Sequence, residues 1–225
     1  MSSDAQRDLK VLSCNAYLTD RNVEKRQVDW TAMWRVKALK GDPINGFFEV
    51  STSTGVRRFD QYNVAEFLKM IPGRMAKAIL ANITGPATLV PIPNSHIVDP
   101  TTAGFKTLDL ARGIAARSEG RLTAVPALVF REPQAKSRGG GGSRRPAHFE
   151  AAYRLVEDVS GSIVLIDDVK TTGGHIVGAC WKLESPKRSV VLACTYGSTV
   201  HEQVPDPLAD RIENLPLDRA DEFTF

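Results

Sequence analysis

Apolar residues recur at helical spacing in several stretches. Trp30, Met33, Trp34 and Ala38 fall at the i, i+3, i+4, i+8 spacing of one helical face and predict a helix near the amino end, with both tryptophans read as core. Val64, Phe67, Leu68, Ile71, Met75, Ile79 and Ile83 keep the same period, and Pro72-Gly73 predicts an interruption there, as two helices or a kink. Residues 102–118 place Phe105, Leu108, Ala111, Ile114 and Ala115 on one helical face, and 174–183 reads as a further helix. Between these lie strand-like runs: 10–18 alternates in part, 46–50 is rich in strand formers, and 87–93 ends in a proline turn. Residues 122–130, 161–168 and 189–195 read as strands as well. The run Ile163-Val-Leu-Ile166 is continuously apolar, as in strands buried on both faces of a parallel sheet. This alternation of strand and helix predicts an α/β fold with a largely parallel sheet and right-handed crossovers.

Composition narrows the class. The chain has 225 residues, of which 42% are hydrophobic, so it can bury a sizeable core and is not disordered in the main. Twenty-nine Lys and Arg against 26 Asp and Glu leave a net charge of +3, too little to argue for a nucleic-acid or membrane partner. No apolar run approaches the ~18–20 residues of a membrane helix. Residues 1–10 are polar and lack the apolar stretch of a secretory signal. Cys14, Cys180 and Cys194 are widely spaced and form no C-x-x-C pair, so neither a zinc ribbon nor a disulfide framework is expected. A cytoplasmic protein with reduced thiols is the expectation.

Two parts are expected along the chain: an α+β segment over 1–85 and a core over 86–225. Within the core, 131–150 has no apolar periodicity, four consecutive glycines and several cations. It reads either as a flexible linker or as a loop that closes over a site.

The chemistry gathers in Ile163-Val-Leu-Ile-Asp-Asp-Val-Lys-Thr-Thr-Gly-Gly-His-Ile176. A buried strand ends in Asp167 and Asp168, and a Thr/Gly-rich turn then opens a helix. In open α/β sheets the ligand crevice lies at the carboxyl ends of the strands. Exposed N–H groups at the helix start, with two threonine hydroxyls, suit a phosphate, and the glycines permit close backbone approach. A carboxylate pair accepts hydrogen bonds from vicinal hydroxyls, so the segment asks for a ribose 5-phosphate. The turn is neither a nucleotide P-loop nor a dinucleotide-binding G-x-G-x-x-G turn.

The segment Val164-Leu-Ile-Asp-Asp-Val-Lys-Thr-Thr-Gly-Gly174 resembles the phosphoribosyl-pyrophosphate (PRPP) motif of type I phosphoribosyltransferases. Three further segments are similar to the ComF-like branch of that family. Leu89-Val-Pro-Ile-Pro-Asn-Ser-His96 resembles the strand and loop that meet the pyrophosphate. Ala103-Gly-Phe-Lys-Thr-Leu-Asp-Leu-Ala111 resembles a Gly-Phe-Asn-Gln helix start, and Arg144 to Arg154 resembles an Arg-x-x-Asn-x-x-x-Ala-Phe segment. Together they span roughly residues 87–197, about half the chain.

The resemblance implies a parallel sheet flanked by helices, with a small hood from the amino- and carboxyl-terminal segments (1–85 and 198–225). It implies an enzyme that moves a 5-phosphoribosyl group from PRPP to a nitrogenous acceptor and releases pyrophosphate. Asp167 and Asp168 would hold the ribose hydroxyls and, indirectly, Mg²⁺. Val169, Lys170, Thr171, Thr172, Gly173, Gly174 and His175 would wrap the 5-phosphate. Asn94, Ser95 and His96 would meet the pyrophosphate, with Lys136, Arg138, Arg144 and Arg145 closing over it.

The chain departs from the ComF-like pattern twice. Cys14 stands alone where an amino-terminal tetracysteine zinc module is common. His175 replaces a Thr or Ser, and an imidazole there either adds a charge-assisted bond to the phosphate or signals altered or lost catalysis. A non-catalytic PRPP-binding regulator or an accessory factor of DNA uptake is the alternative. Direct nucleic-acid binding is disfavoured, and a homodimer is consistent with the family.

Overall fold

The computed structural model describes residues 7–135 and 145–219. In chain order these form β1 (Asp8–Ser13), β2 (Ala16–Leu18), α1 (Gln27–Lys40), β3 (Phe48–Thr52), β4 (Gly55–Phe59), α2 (Val64–Leu68), α3 (Ile71–Asn82), β5 (Ala87–Pro91) and α4 (Lys106–Ala115). They continue with β6 (Leu122–Ala124), β7 (Leu128–Phe130), α5 (Pro146–Ala152), β8 (Tyr153–Leu155), β9 (Gly161–Lys170), α6 (Gly174–Leu183), β10 (Arg188–Val200) and β11 (Arg211–Pro216).

The apolar run Ile163–Ile166 is the middle of β9, and the main sheet is arranged around it in the order β11-β1-β10-β9-β5-β6, with β2 paired beside the end of β10. Every pairing in it is parallel except that of β11, which runs antiparallel to β1 along the edge. Val164 and Ile166 point into a core shared with Val36 of α1, Met75 and Ile79 of α3 and Ile114 of α4. Ile163 and Leu165 point the other way, into a core with Phe130, Phe149, Tyr153 and α6 residues Ile176 and Val177. A strand covered on both faces has no polar side to present, which explains the unbroken apolar run. Each such side chain contributes about 1.5–3 kcal/mol by its burial.

Helix α1 closes on Gly41, whose φ of 75° is the left-handed conformation that ends helices. At its amino end the Arg26 backbone N–H and Nε both donate to Oδ2 of Asp29, each at 2.9 Å. The helix lies close on β10 because Gly197 has no side chain: a Cβ there would stand 2.7 Å from Cγ2 of Val36.

Several sequence expectations are revised. The interrupted helix of 63–83 breaks at Lys69-Met70 rather than at Pro72-Gly73, and Pro72 sits in the first turn of α3, where its missing N–H costs nothing. The helix expected over 102–118 is confined to 106–115, preceded by Gly104 at a φ of 82°. The strand expected over 122–130 divides at Pro126. Its first part stays in the main sheet, and its second pairs antiparallel with β8. Trp30 is not core: it is 40% exposed and stacks on Trp34 at 5.9 Å, with Lys25 over its ring.

The amino- and carboxyl-terminal segments expected to form a hood also give strands to the main sheet, β1 and β11. Leu12, Val36, Phe67 and Met75 from before residue 85 share one core with Leu89, Val164 and Ile166 from after it. The three cysteines are buried and unpaired by disulfides. Among the described residues no helix is long and apolar enough to cross a membrane.

Candidate functional site

The sheet itself creates the crevice. The pairing of β5 with β9 ends at Pro91 and Ile166, whereas β10 continues beside β9 as far as Lys170. Asp167 and Asp168 therefore emerge where one neighbour has stopped. A cavity of about 650 Å³ opens there, a volume suited to a small-molecule ligand. The continuous stretch Asp167–Ile176 forms one side of it, and Pro93, Asn94, Ser95, Gln134 and Ala135 form another. Phe149, Tyr17, Thr19, Thr199 and Lys40 complete the lining.

The turn into α6 needs glycine twice over at position 173. Its φ is 91°, and a Cβ would fall 2.7 Å from Cδ1 of Leu215 on β11. The first intrahelical bond runs from the Val177 N–H to the Gly173 carbonyl. The first-turn N–H groups before it have no intrahelical acceptor, and they lie at the cavity, where an anion can receive them.

Asp167 accepts a hydrogen bond through Oδ1 from the Asp168 N–H at 2.8 Å, and Asp168 accepts one from the Val169 N–H at 2.7 Å. Burial raises the Asp167 carboxyl well above its usual range. The negative charge of Asp168 and a hydrogen bond with its carboxyl add to the rise, while Lys40 opposes it. Two carboxyls placed to share a proton fit a divalent cation that would replace that proton. Among the described residues no three His, Cys, Asp or Glu side chains cluster to hold a metal by themselves. That donor set suits Mg²⁺, which keeps waters and substrate phosphates as its other ligands.

The other expected site residues divide. Val169, Lys170, Thr171, Thr172, Gly174, His175, Asn94 and Ser95 line the cavity with the carboxylates. His96 is exposed and does not line it. Asn94 also works locally, its Oδ1 accepting the Lys106 N–H at 3.1 Å near the start of α4. Arg145 is the residue before α5 and is not part of the lining. Lys136, Arg138 and Arg144 lie outside the described residues.

Of the two readings left open for His175, the site does not favour the charge-assisted bond to phosphate. The ring packs on Phe149 with centroids 3.7 Å apart, and burial, with the nearby His148, lowers its pKa to about 4. His175 is neutral at physiological pH in this environment. Lys170 is nearly buried and forms an ion pair with Glu213 of β11 at 3.2 Å.

Sequence reading missed Tyr17, Thr19, Lys40, Gln134, Phe149 and Thr199. Phe149 lies within the segment that drew attention at 144–154. Gln134 lies within the glycine- and cation-rich stretch of 131–150, whereas Tyr17, Thr19, Lys40 and Thr199 belong to elements with no chemical pattern of their own, and only the fold brings them to the cavity.

No protein-family model matches the chain, and no curated protein matches it. Solved structures that are similar to it in part include the following three. UMP synthase from Leishmania donovani is 15% identical with a TM-score of 0.36, the match covering 73% of this chain and 31% of that one. The chain thus spans less than a third of that protein's length. Orotate phosphoribosyltransferase from Aeropyrum pernix is 19% identical with a TM-score of 0.37, covering 74% of this chain and 83% of that one. A hypoxanthine phosphoribosyltransferase from Staphylococcus aureus is 10% identical with a TM-score of 0.35, covering 75% and 77%. By its own topology the chain is an α/β protein, a mostly parallel sheet flanked by helices with its crevice at the carboxyl end of β9.

Proposed function

We propose that the protein is a phosphoribosyltransferase that moves the 5-phosphoribosyl group of PRPP to a nitrogenous acceptor and releases pyrophosphate. One observation carries the reading: the Asp167–Asp168 pair and the glycine-opened start of α6 line a single cavity. That juxtaposition suits a ribose 5-phosphate, with hydroxyls at the carboxylates and phosphate at the helix start.

The chain's residues then have separable tasks. N–H groups of the 173–176 turn, with the Thr171 and Thr172 hydroxyls, bind and orient the 5-phosphate. Asp167 and Asp168 accept hydrogen bonds from the ribose 2- and 3-hydroxyls. The loop at Asn94-Ser95 faces the pyrophosphate, and Lys136, Arg138 and Arg144 are assigned to it by family resemblance. Mg²⁺, when bound with PRPP, neutralises charge on the leaving group. The C1–O bond breaks with its electron pair going to the pyrophosphate oxygen, C1 takes oxocarbenium character, and the acceptor nitrogen's lone pair forms the new C1–N bond. The acceptor nitrogen gives up its proton where it carries one. Groups preorganised toward the growing negative charge contribute the larger part of such a rate enhancement. The resemblance of the segments at 89–96, 103–111 and 144–154 to the ComF-like branch supports that branch as the reading.

A second reading, a PRPP-binding regulator without turnover, is favoured by the neutral His175 and by the engagement of Lys170 with Glu213, which leave the cavity with fewer available cations. The deciding measurement is pyrophosphate release from PRPP with Mg²⁺ across purine and pyrimidine bases, with Asp168→Asn as control. Release that depends on one base and on Asp168 establishes the transferase. PRPP binding that raises the melting temperature without release by any acceptor supports the regulator. Wild-type turnover in an Asp167→Asn/Asp168→Asn double variant would sink the site assignment.

A further inference from the structure

Lys40 is the last residue of α1, a helix whose role in the sequence pattern is wholly structural. Its side chain nevertheless lines the cavity, together with the 167–176 stretch and Asn94-Ser95. Two observations distinguish it from an ordinary surface lysine. First, its backbone is tied to the loop at 94–95. The Lys40 carbonyl accepts a hydrogen bond from Nζ of Lys106 at 3.2 Å, and the Lys106 N–H donates to Oδ1 of Asn94 at 3.1 Å. The end of α1, the start of α4 and the Asn94 loop thus hold one another in place.

Second, among the described residues Lys40 has no carboxylate in ion-pair contact, whereas the cavity's other described lysine, Lys170, has Glu213 at 3.2 Å. Its charge reaches the cavity floor, where it acts on the Asp167 carboxyl. A compact ammonium without a carboxylate partner, at the wall of a cavity whose far side is a helix start, matches a second anionic group on the same ligand.

We propose that Lys40 is a catalytic residue that binds the pyrophosphate of PRPP beside Asn94 and stabilises the charge it gains as the C1–O bond breaks, while the 5-phosphate occupies the start of α6. This assignment rests on the phosphoribosyltransferase reading and adds to it a group from the amino-terminal helix. The negative end of the α1 dipole also favours a cation at this position.

The test separates the two anion subsites. Binding of inorganic pyrophosphate with Mg²⁺, and separately of ribose 5-phosphate, is measured by calorimetry on wild type, Lys40→Gln, Lys40→Arg and Thr172→Val. Lys40→Gln is expected to weaken pyrophosphate binding tenfold or more while changing ribose 5-phosphate binding less than twofold. Lys40→Arg should recover part of the loss, and Thr172→Val should show the reverse selectivity. Equal pyrophosphate affinity in Lys40→Gln and wild type overturns the assignment and leaves the phosphoribosyl reading standing. So does a loss confined to acceptor-dependent turnover, which would place Lys40 at the acceptor. An equal loss of both ligands in Lys40→Gln overturns it as a structural effect. Failure of the wild type to bind either ligand removes both this assignment and the reading beneath it.

Discussion

The Nζ of Lys170, at the end of β9, stands 3.2 Å from Oε1 of Glu213 on β11, so the edge strand holds a lysine that the motif assigns to the phosphate. Glu213 is 44% exposed, and ion pairs so accessible to solvent are worth about 0–1 kcal/mol. Glu213→Gln is expected to release Lys170 toward a bound anion and to tighten ribose 5-phosphate binding by about two- to fivefold. Calorimetric titration checks this. An unchanged affinity would show that Lys170 does not reach the ligand.

Asp167 provides a pH signature. Its carboxyl is held above the usual 3.8 by burial first and by the charge of Asp168 second. The folded protein therefore prefers the protonated form. The stability this contributes is full below about pH 4 and is lost as pH rises through the raised folded value. Asp167→Asn is expected to remove that loss, raising the melting temperature of the free protein by about 2–4 °C at neutral pH, on the order of 1 kcal/mol. The same variant should bind PRPP more weakly and release no pyrophosphate. A lower melting temperature at neutral pH would contradict the proton-sharing pair.

His175 gives the opposite slope. Its pKa is lowered from 6.5 to about 4 by burial, with a smaller effect from His148. The neutral ring is the folded form, so its contribution is full above pH 6.5 and is lost as pH falls toward 4. The wild type should lose on the order of 2–3 kcal/mol across that window relative to His175→Gln. Paired denaturant titrations at several pH values measure the difference. An NMR titration placing His175 near 6.5 would refute it.

Gly173→Ala tests the cradle. The new Cβ would meet Leu215 at 2.7 Å in a backbone conformation that L residues rarely adopt. A loss of about 1–3 kcal/mol in stability is expected, together with weakened ribose 5-phosphate binding. Gly173→Ala combined with Leu215→Ala should recover part of the stability, because it removes the collision and leaves only the backbone strain.

Much of the site is legible in the chain because its residues are contiguous. A strand buried on both faces must be apolar throughout, a strand end must change character, and a helix start that meets an anion needs glycine and small hydroxyl residues. Local physics therefore writes Ile163–Ile176 as one pattern, and the structure keeps its Asp167–Ile176 part at the cavity. The helix of 174–183 is legible for the same reason, since its apolar period and the Gly-Gly before it agree.

The revisions have a common source. The place of a break depends on which neighbour takes up the backbone hydrogen bonds, so Pro72 begins α3 where an interruption was expected, and Pro126 parts β6 from β7 within a stretch that reads as one strand. The incorporation of β1 and β11 into the main sheet follows from pairing across nearly the whole chain, Leu12 with Cys194 and with Ile212, which no local pattern records. The same long-range packing delivers Lys40, Tyr17 and Thr199 to the cavity and Glu213 to Lys170. The acids and the Thr/Gly-rich turn were thus inherent in the order of neighbouring residues. The cations facing them, and the charge state of His175, arose from burial and distance, which exist only once the chain has folded.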